Sequence, residues 1–247
     1  MIFDAHAHLD VSEIRGWYDT ADRLIKVMDS VGIEKSVVSA YRDCPSPEIE
    51  SPMEFLSSEV KKYPERLYPF IRLNPRFDDQ TIEILDIAIQ KHNFRGVKLH
   101  PSSYNLYPGG EPTVKIFRRA AKYDVPILVH CADEGNSMPL EFLSCIEQSP
   151  ETKVILAHSG GFFHLKDAIR VCKQYENVYM DTCESPFVDG IKKAIDEIGP
   201  DRILFGTDNP IDNPYFEIEK VKQANLGKEI EEKIFYSNIA SLLKEEA

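Results

Sequence analysis

Eight short, β-rich apolar runs recur along this chain, and their recurrence constrains the fold more than any other feature. They occupy 1–8, 35–41, 67–75, 95–101, 125–131, 153–160, 177–184 and 202–210, and most end in a polar residue or a Gly/Pro break. Segments with helical spacing lie between them. In 21–32, Leu24, Ile25, Met28 and Val31 fall on one face, and Gly32 is placed to cap the C-terminus. In 78–92, Ile82, Leu85 and Ile89 form a stripe after an acidic start. Segments 113–124 and 162–175 follow the same spacing, and 139–148 opens with a proline, which a first helical turn tolerates. Strand, helix, strand with a period of roughly 25–33 residues predicts βαβ units on a parallel sheet. Eight such units in 247 residues predict a (β/α)8 TIM barrel of the α/β class. An open doubly wound sheet is the competitor, but it favours fewer strands and a glycine-rich first loop, and the first loop here reads HAHLDVSE. No linker, low-complexity segment or charge block interrupts the pattern. Residues 1–247 are therefore expected to form one domain, with 233–247 a C-terminal helix or helix pair that packs Phe235, Ile239, Leu242 and Leu243.

Composition narrows the functions available. A content of 43% hydrophobic and 28% charged residues supports a substantial core. A net charge of -12 argues against an extended grip on nucleic acid or an anionic membrane, though not against a small anionic substrate in a local pocket. The five cysteines (Cys44, Cys131, Cys145, Cys172, Cys183) are scattered and odd in number, unlike a disulfide framework. No apolar stretch approaches the ~20 residues needed to span a bilayer, and the first residues lack the pattern of a secretory signal. A cytoplasmic location is the expectation.

The ionisable residues carry the chemistry. His6, His8, His100, His130, His158 and Asp208 all fall at or near the C-terminal ends of expected strands, which in a (β/α)8 barrel open onto one mouth. His6 and His8 are two residues apart, so one strand offers two imidazoles to the same face, with Asp4 expected to continue that row below. His130 and Asp208 then complete a set of three nitrogens and one oxygen, which suits zinc or another first-row divalent ion better than magnesium or calcium. Each residue also has a plainer reading. A lone HxH is weak evidence, His130 fits a backbone-bonded strand end, and Asp208 in GTDNP fits a turn former. His100 and His158 read equally as loop residues. What those readings lack is a reason for five of the seven histidines to mark strand ends, while His92 and His164 lie in helical segments.

FDAHAHLD, GVKLHP, LVHCAD, ILAHSGG and ILFGTDNP together resemble the strand-end motifs of the amidohydrolase superfamily. They are most similar to the amidohydrolase-related branch that includes aminocarboxymuconate semialdehyde decarboxylase-like enzymes, and the resemblance runs along the whole chain. It implies that His6, His8, His130 and Asp208 bind the metal. It also implies that Asp208 carries a proton in hydrolytic members, and that His158 ligates a second metal in binuclear members and acts as acid/base or orienter in mononuclear ones. Lys98 matches a strand 4 lysine that is carboxylated in some binuclear members. Its place below His100 favours one metal ion, zinc foremost with manganese or iron as alternatives, over a second ion bridged by carboxylated Lys98. The plainer reading of Lys98 is a charge compensated by an inward carboxylate such as Asp4. A homodimer is a further implication of the resemblance.

The first expectation for function is hydrolysis of an amide, lactone or other ester by metal-activated water, with a small-molecule substrate. The alternative is a metal-dependent decarboxylase of a small carboxylic acid, and a second alternative is a metal-binding barrel without catalysis. Specificity is expected from loops 41–52, 101–112 and 133–139. His100, Lys98, Arg72 and Tyr104 are the candidate substrate contacts, with a surface or structural salt bridge as the equal alternative for Arg72. Tyr107 joins them, with lid or packing as the alternative for both tyrosines. Glu184 has substrate contact or a backbone bond open to it.

Overall fold

The computed structural model describes residues 1–48, 51–185 and 187–245. Positions 49 and 50, part of one loop expected to set specificity, lie outside them, as do 186, 246 and 247. Eight parallel strands form one sheet in chain order: β1 (Phe3–His8), β2 (Lys35–Ser39), β3 (Leu67–Arg72), β4 (Gly96–Leu99), β5 (Ile127–Val129), β6 (Val154–Leu156), β7 (Val178–Asp181) and β8 (Ile203–Leu204). Every run read from the sequence supplies one of them. The sheet closes where β1 meets the β8 segment, through Ala5 N–H to the Phe205 carbonyl and His8 N–H to the Asn209 carbonyl, both 2.8 Å. The chain is a (β/α)8 TIM barrel.

Helices α1 (Ala21–Val31), α2 (Pro52–Val60), α3 (Asp79–His92), α4 (Glu111–Tyr123), α5 (Leu143–Gln148), α6 (Leu165–Gln174), α7 (Val188–Ile198) and α8 (Pro214–Gln223) follow the strands. The caps act as the sequence suggests: Gly32 ends α1 in the left-handed conformation at φ 79°, its N–H on the Met28 carbonyl. Among the described residues, no helix is long and apolar enough to cross a membrane. One element is unforeseen. The first βα loop folds into an antiparallel hairpin of Asp10–Ser12 and Trp17–Asp19, pairing Val11 with Tyr18 and Ser12 with Trp17.

Two apolar layers sandwich the barrel wall. The inner one contains Phe3, Ala5, Val37, Phe70, Leu128, Ile155 and Leu204, and is plugged from below by Tyr236, Ile239, Leu242 and Leu243 of the C-terminal helices. The outer one packs Val38, Val97, Val129 and Leu156 against the helices. Gly96 on β4 leaves room for the buried Phe70 ring, since a Cβ there would lie 2.5 Å from it. Glu245 fastens the tail to the barrel floor, accepting from Tyr68 Oη at 2.7 Å, Arg95 at 3.0 Å and Lys35 Nζ at 3.3 Å.

Strand β1 departs from simple alternation. Its register against β2 shifts between Asp4 and Ala7, so Phe3 and Ala5 join the inner layer while Ala7 and Leu9 join the outer one. Asp4 is therefore not in the row of His6 and His8, contrary to the two-residue period. Its carboxyl fixes the irregularity instead. Oδ1 accepts from His6 N and Thr207 N, each at 3.0 Å, and Oδ2 from Thr207 Oγ1 at 2.6 Å and Ser36 Oγ at 3.3 Å. A bulge of this kind re-aims side chains beside a site, and here it turns both imidazoles inward. Asp4→Ala strands these buried donors at about 1–3 kcal/mol each. Urea denaturation is expected to show a loss of at least that size; an unchanged midpoint would mean the clamp contributes nothing.

Candidate metal centre and cavity

The mouth of the barrel gathers side chains from all eight strand ends. His6 Nε2 and His8 Nε2 lie 3.2 and 2.9 Å from one oxygen of Asp208, Oδ1. Asp208 reaches this point because its N–H bonds the His6 carbonyl at 2.7 Å and its backbone turns left-handed at φ 51°. His158 at φ 59° and Glu184 at φ 52° share that conformation, which non-glycine residues seldom adopt. Three functional side chains on successive strand ends are thus held by strained backbone, a feature concentrated at active sites.

The outward nitrogens of the paired imidazoles are also anchored. His6 Nδ1 lies 3.0 Å from Asp181 Oδ2, and His8 Nδ1 lies 3.2 and 3.1 Å from the carbonyl and hydroxyl oxygens of Ser39. Asp181 Oδ1 accepts from His158 N at 2.7 Å, tying β6 to the same carboxylate. Gly206 permits the approach of β8: a Cβ there would lie 3.2 Å from His6 Cβ and 3.3 Å from the Asp181 carboxyl.

The donor set fits a divalent cation. Burial lowers the pKa of both His6 and His8, leaving them neutral donors at neutral pH. Burial works to raise that of Asp208, but the His8 hydrogen bond and the fields of His8, His158 and Lys98 prevail and hold it at about 2. Two neutral nitrogens and an ionised carboxylate, within 4.8 Å of one another, match the requirements of a first-row ion. The outer contacts of Asp181 and Ser39 complete the support that metal-binding histidines have.

Other expected residues are placed with more variety. His130 stands apart from the His6, His8 and Asp208 group: its Nδ1 lies 3.0 Å from His158 Nε2, its Nε2 3.3 Å from Glu134, and its ring stacks on His100 at 3.9 Å. Burial lowers its pKa to about 4. His158 Nδ1 lies 3.0 Å from Glu184 Oε2, which gives Glu184 a side-chain partner rather than the backbone bond open to it from sequence. Burial opposes the charged form of His158, yet the Glu184 hydrogen bond and the charges of Asp208, Asp181 and Glu184 outweigh it, and its pKa is raised. Lys98 is not too deep to meet the ligands, because its Nζ lies 2.7 Å from His6 Nε2. Burial lowers its pKa to about 8 against the pull of Asp208 and Asp181, and these two, not Asp4, are its counter-charges.

A cavity of about 360 Å³ joins these groups, lined by His8, Arg72, Lys98, His100, His130, His158 and Asp208. Arg72 faces it while held by Asp43 Oδ1 at 2.7 Å and Ser103 Oγ at 3.2 Å. Tyr104 does not line it: the ring is buried in the helical turn Pro101–Tyr104, and Tyr107 is exposed. Sequence reasoning passed over Arg15, Trp17 and Ile211 in the wall and Asp181 behind it, and reached Tyr41 and Glu134 only as members of loops 41–52 and 133–139. Signals existed for two of them. Trp17 is the chain's single tryptophan, set in a polar loop, and Asp181 ends an apolar run as His130 does.

An amidohydrolase family model matches residues 3–244. The chain belongs to the amidohydrolase family. It is 22% identical over 290 aligned positions to the gamma-resorcylate decarboxylase of a Polaromonas strain, covering 92% of this chain and 88% of that protein. A structure of 2,6-dihydroxybenzoate decarboxylase complexed with 2,6-dihydroxybenzoate superposes with a TM-score of 0.80 at 20% identity, covering 98% of each chain. The Polaromonas sp. JS666 dihydroxybenzoic acid decarboxylase, with bound manganese and 2-nitroresorcinol, gives 0.76 at 18% identity, covering 98% of this chain and 96% of that one. Within this amidohydrolase, Asp181 is the outer support of His6. Asp181→Asn is expected to weaken divalent-metal affinity by about 10–100-fold. Competition with a chromophoric chelator measures this, and an affinity within twofold of the wild type would remove Asp181 from the metal's support.

Proposed function

We propose that this amidohydrolase is a metal-dependent decarboxylase of a small hydroxylated aromatic carboxylate. The observation that carries the reading is the placement of His158 at the edge of the metal-donor set, its Nδ1 held 3.0 Å from Glu184 Oε2, a pairing that favours its protonated form. Hydrolysis, the first expectation from sequence, requires a base that takes a proton from water. Loss of carbon dioxide requires an acid that gives a proton to carbon. Asp208 is ionised and engaged by both His6 and His8, which leaves His158, with its raised pKa, as the group suited to deliver a proton. The three relatives named above support the same choice, since each of those bears the name of a decarboxylase. A binding scaffold without chemistry has no use for such an acid.

In this reading His6, His8 and Asp208 would hold the ion, with His130 a further candidate ligand. What such an ion would supply is stabilisation of the electron pair released at the substrate. Lys98 and Arg72, adjacent on β4 and β3, receive the carboxylate. That group leaves as carbon dioxide, its bonding pair stays on carbon, and the Nε2 proton of His158 completes the new C–H bond. Glu184 holds Nδ1–H, so Nε2 is the end that gives up its proton and regains one from solvent. Zinc was the ion expected from the ligands, and the manganese of the Polaromonas structure makes manganese its rival here. We assign one ion, with Lys98 an amine rather than a bridging carbamate, because its Nζ sits against His6.

The test is reconstitution. Chelated protein reloaded with manganese or zinc is expected to release carbon dioxide from 2,6-dihydroxybenzoate or a related acid, and chelated protein to release none. Turnover confined to esters, lactones or amides would sink the proposal. His158→Gln is expected to lower kcat by about 10²–10⁴-fold. The raised pKa of His158 also fixes a pH sign. Activity falls as pH rises through it, and Glu184→Gln removes a raising influence, so the alkaline limb of the kcat profile moves to lower pH. A limb that stays in place would show that Glu184 does not tune the acid.

A further inference from the structure

The cavity wall not used by that mechanism is an aromatic ladder. His8 stacks on Tyr41 with ring centroids 4.7 Å apart and an interplanar angle of 21°. Tyr41 packs on Trp17 at 4.3 Å, and the Arg15 guanidinium lies over Trp17 at 5.2 Å. The ladder runs from a metal-donor imidazole to an exposed arginine, and its last two members come from the hairpin inserted after β1. This hairpin is pinned: Asp10 accepts from Arg42 Nε at 2.9 Å and Nη2 at 2.6 Å and from Tyr41 N at 3.1 Å, which fixes Tyr41 relative to the hairpin. The ladder is a built surface.

Cations stand at both of its ends. Lys98 and Arg72 lie beside the metal-donor set, where the departing carboxylate belongs. Arg15 lies at the other end, and among the described residues no carboxylate comes within ion-pair distance of its guanidinium. In a chain of net charge -12, a cation facing a cavity without an acid beside it is a docking point for an external anion. The rings of Tyr41 and Trp17, packed on one another and capped by the Arg15 guanidinium, line the cavity between two such poles and give it an aromatic wall suited to a flat ligand.

We propose that Arg15 and Trp17 are specificity-determining residues for a planar substrate carrying two anionic groups. One is the carboxylate lost beside the metal-donor set, and the other lies at the far end of the ring and pairs with Arg15. This rests on the decarboxylase reading for the role of the inner pole, while the ladder itself is a binding surface whichever reaction follows. The inference deepens the substrate class from an aromatic carboxylate to an aromatic dianion.

Trp17, the single tryptophan, makes the test direct. Fluorescence of the full, manganese-loaded chain is titrated with benzoate, isophthalate and terephthalate. At least one dicarboxylate is expected to quench Trp17 with a dissociation constant tenfold or more below that of benzoate. Arg15→Gln is expected to bring the ratio to within about twofold, with circular dichroism and thermal unfolding confirming that the variant is folded. High salt is expected to shrink the wild-type ratio, as screening requires. Equal affinity for mono- and dianions, an unchanged ratio in Arg15→Gln, or no quenching by any of the three would overturn the proposal. Carbon dioxide release, assayed in parallel, separates the two ideas. Dianion selectivity without decarboxylation rejects the reaction and keeps the recognition, whereas decarboxylation indifferent to Arg15 does the reverse.

Discussion

The carboxyl of Asp4 governs the geometry on which the rest of the site depends. It sits where β1 must both complete the barrel and turn two imidazoles inward, and regular alternation cannot do both with this sequence. Phe3 and Ala5 are required in the inner apolar layer, while His6 and His8 are required in the same interior one level higher. A shift of one residue resolves the conflict, and the backbone groups disturbed by it need a partner. Asp4 provides one by accepting from His6 N and, across the closing seam, from Thr207 N and Oγ1. The contact that fixes the bulge thus also fixes Thr207 next to Asp208. Burial drives the Asp4 pKa up to about 8, the cost of placing a carboxyl in this wall.

Electrostatics then divides the cavity into regions of different character. Around Asp208 the imidazoles of His6 and His8 are neutral and the carboxylate ionised, an arrangement prepared for a cation and now contacted by the Lys98 ammonium. Around His158 the balance reverses, because Glu184, Asp181 and Asp208 together overcome the desolvation that lowers His6 and His8. One barrel mouth therefore holds histidines whose pKa values are pushed in opposite directions, the ring centroids of His6 and His158 being 5.1 Å apart. Separate roles for chemically identical side chains arise from which carboxylates each one meets.

Much of this was legible in the sequence, and what escaped has physical causes. The eight strands and the convergence of their histidines follow from period and position alone, because a parallel barrel places every strand end at one mouth. The bulge in β1 was hidden, since alternation is assumed until a partner strand reveals a change of register. The separation of His130 from the His6 and His8 group was hidden too, because strand position locates a Cα but not the direction of a ring. Tyr104 was misplaced for a related reason: loop 101–112 begins with a helical turn that buries it. Asp181 and the hairpin were missed despite faint signals, because one acts behind another residue and the other pairs two segments too short to show a period.

The two parts of the cavity also differ in what holds them, and that difference bears on what can change. His6, His8, His130, His158 and Asp208 sit on or just beyond strands buried between two apolar layers, so moving any of them disturbs the barrel wall. Arg15 and Trp17 sit on a short hairpin attached through Asp10 and the aromatic ladder. A substitution there alters the rim without touching the inner or outer core. The metal-donor set is consequently bound to the fold, whereas the aromatic rim is bound to the short hairpin of Asp10–Ser12 and Trp17–Asp19, so the two can be altered independently.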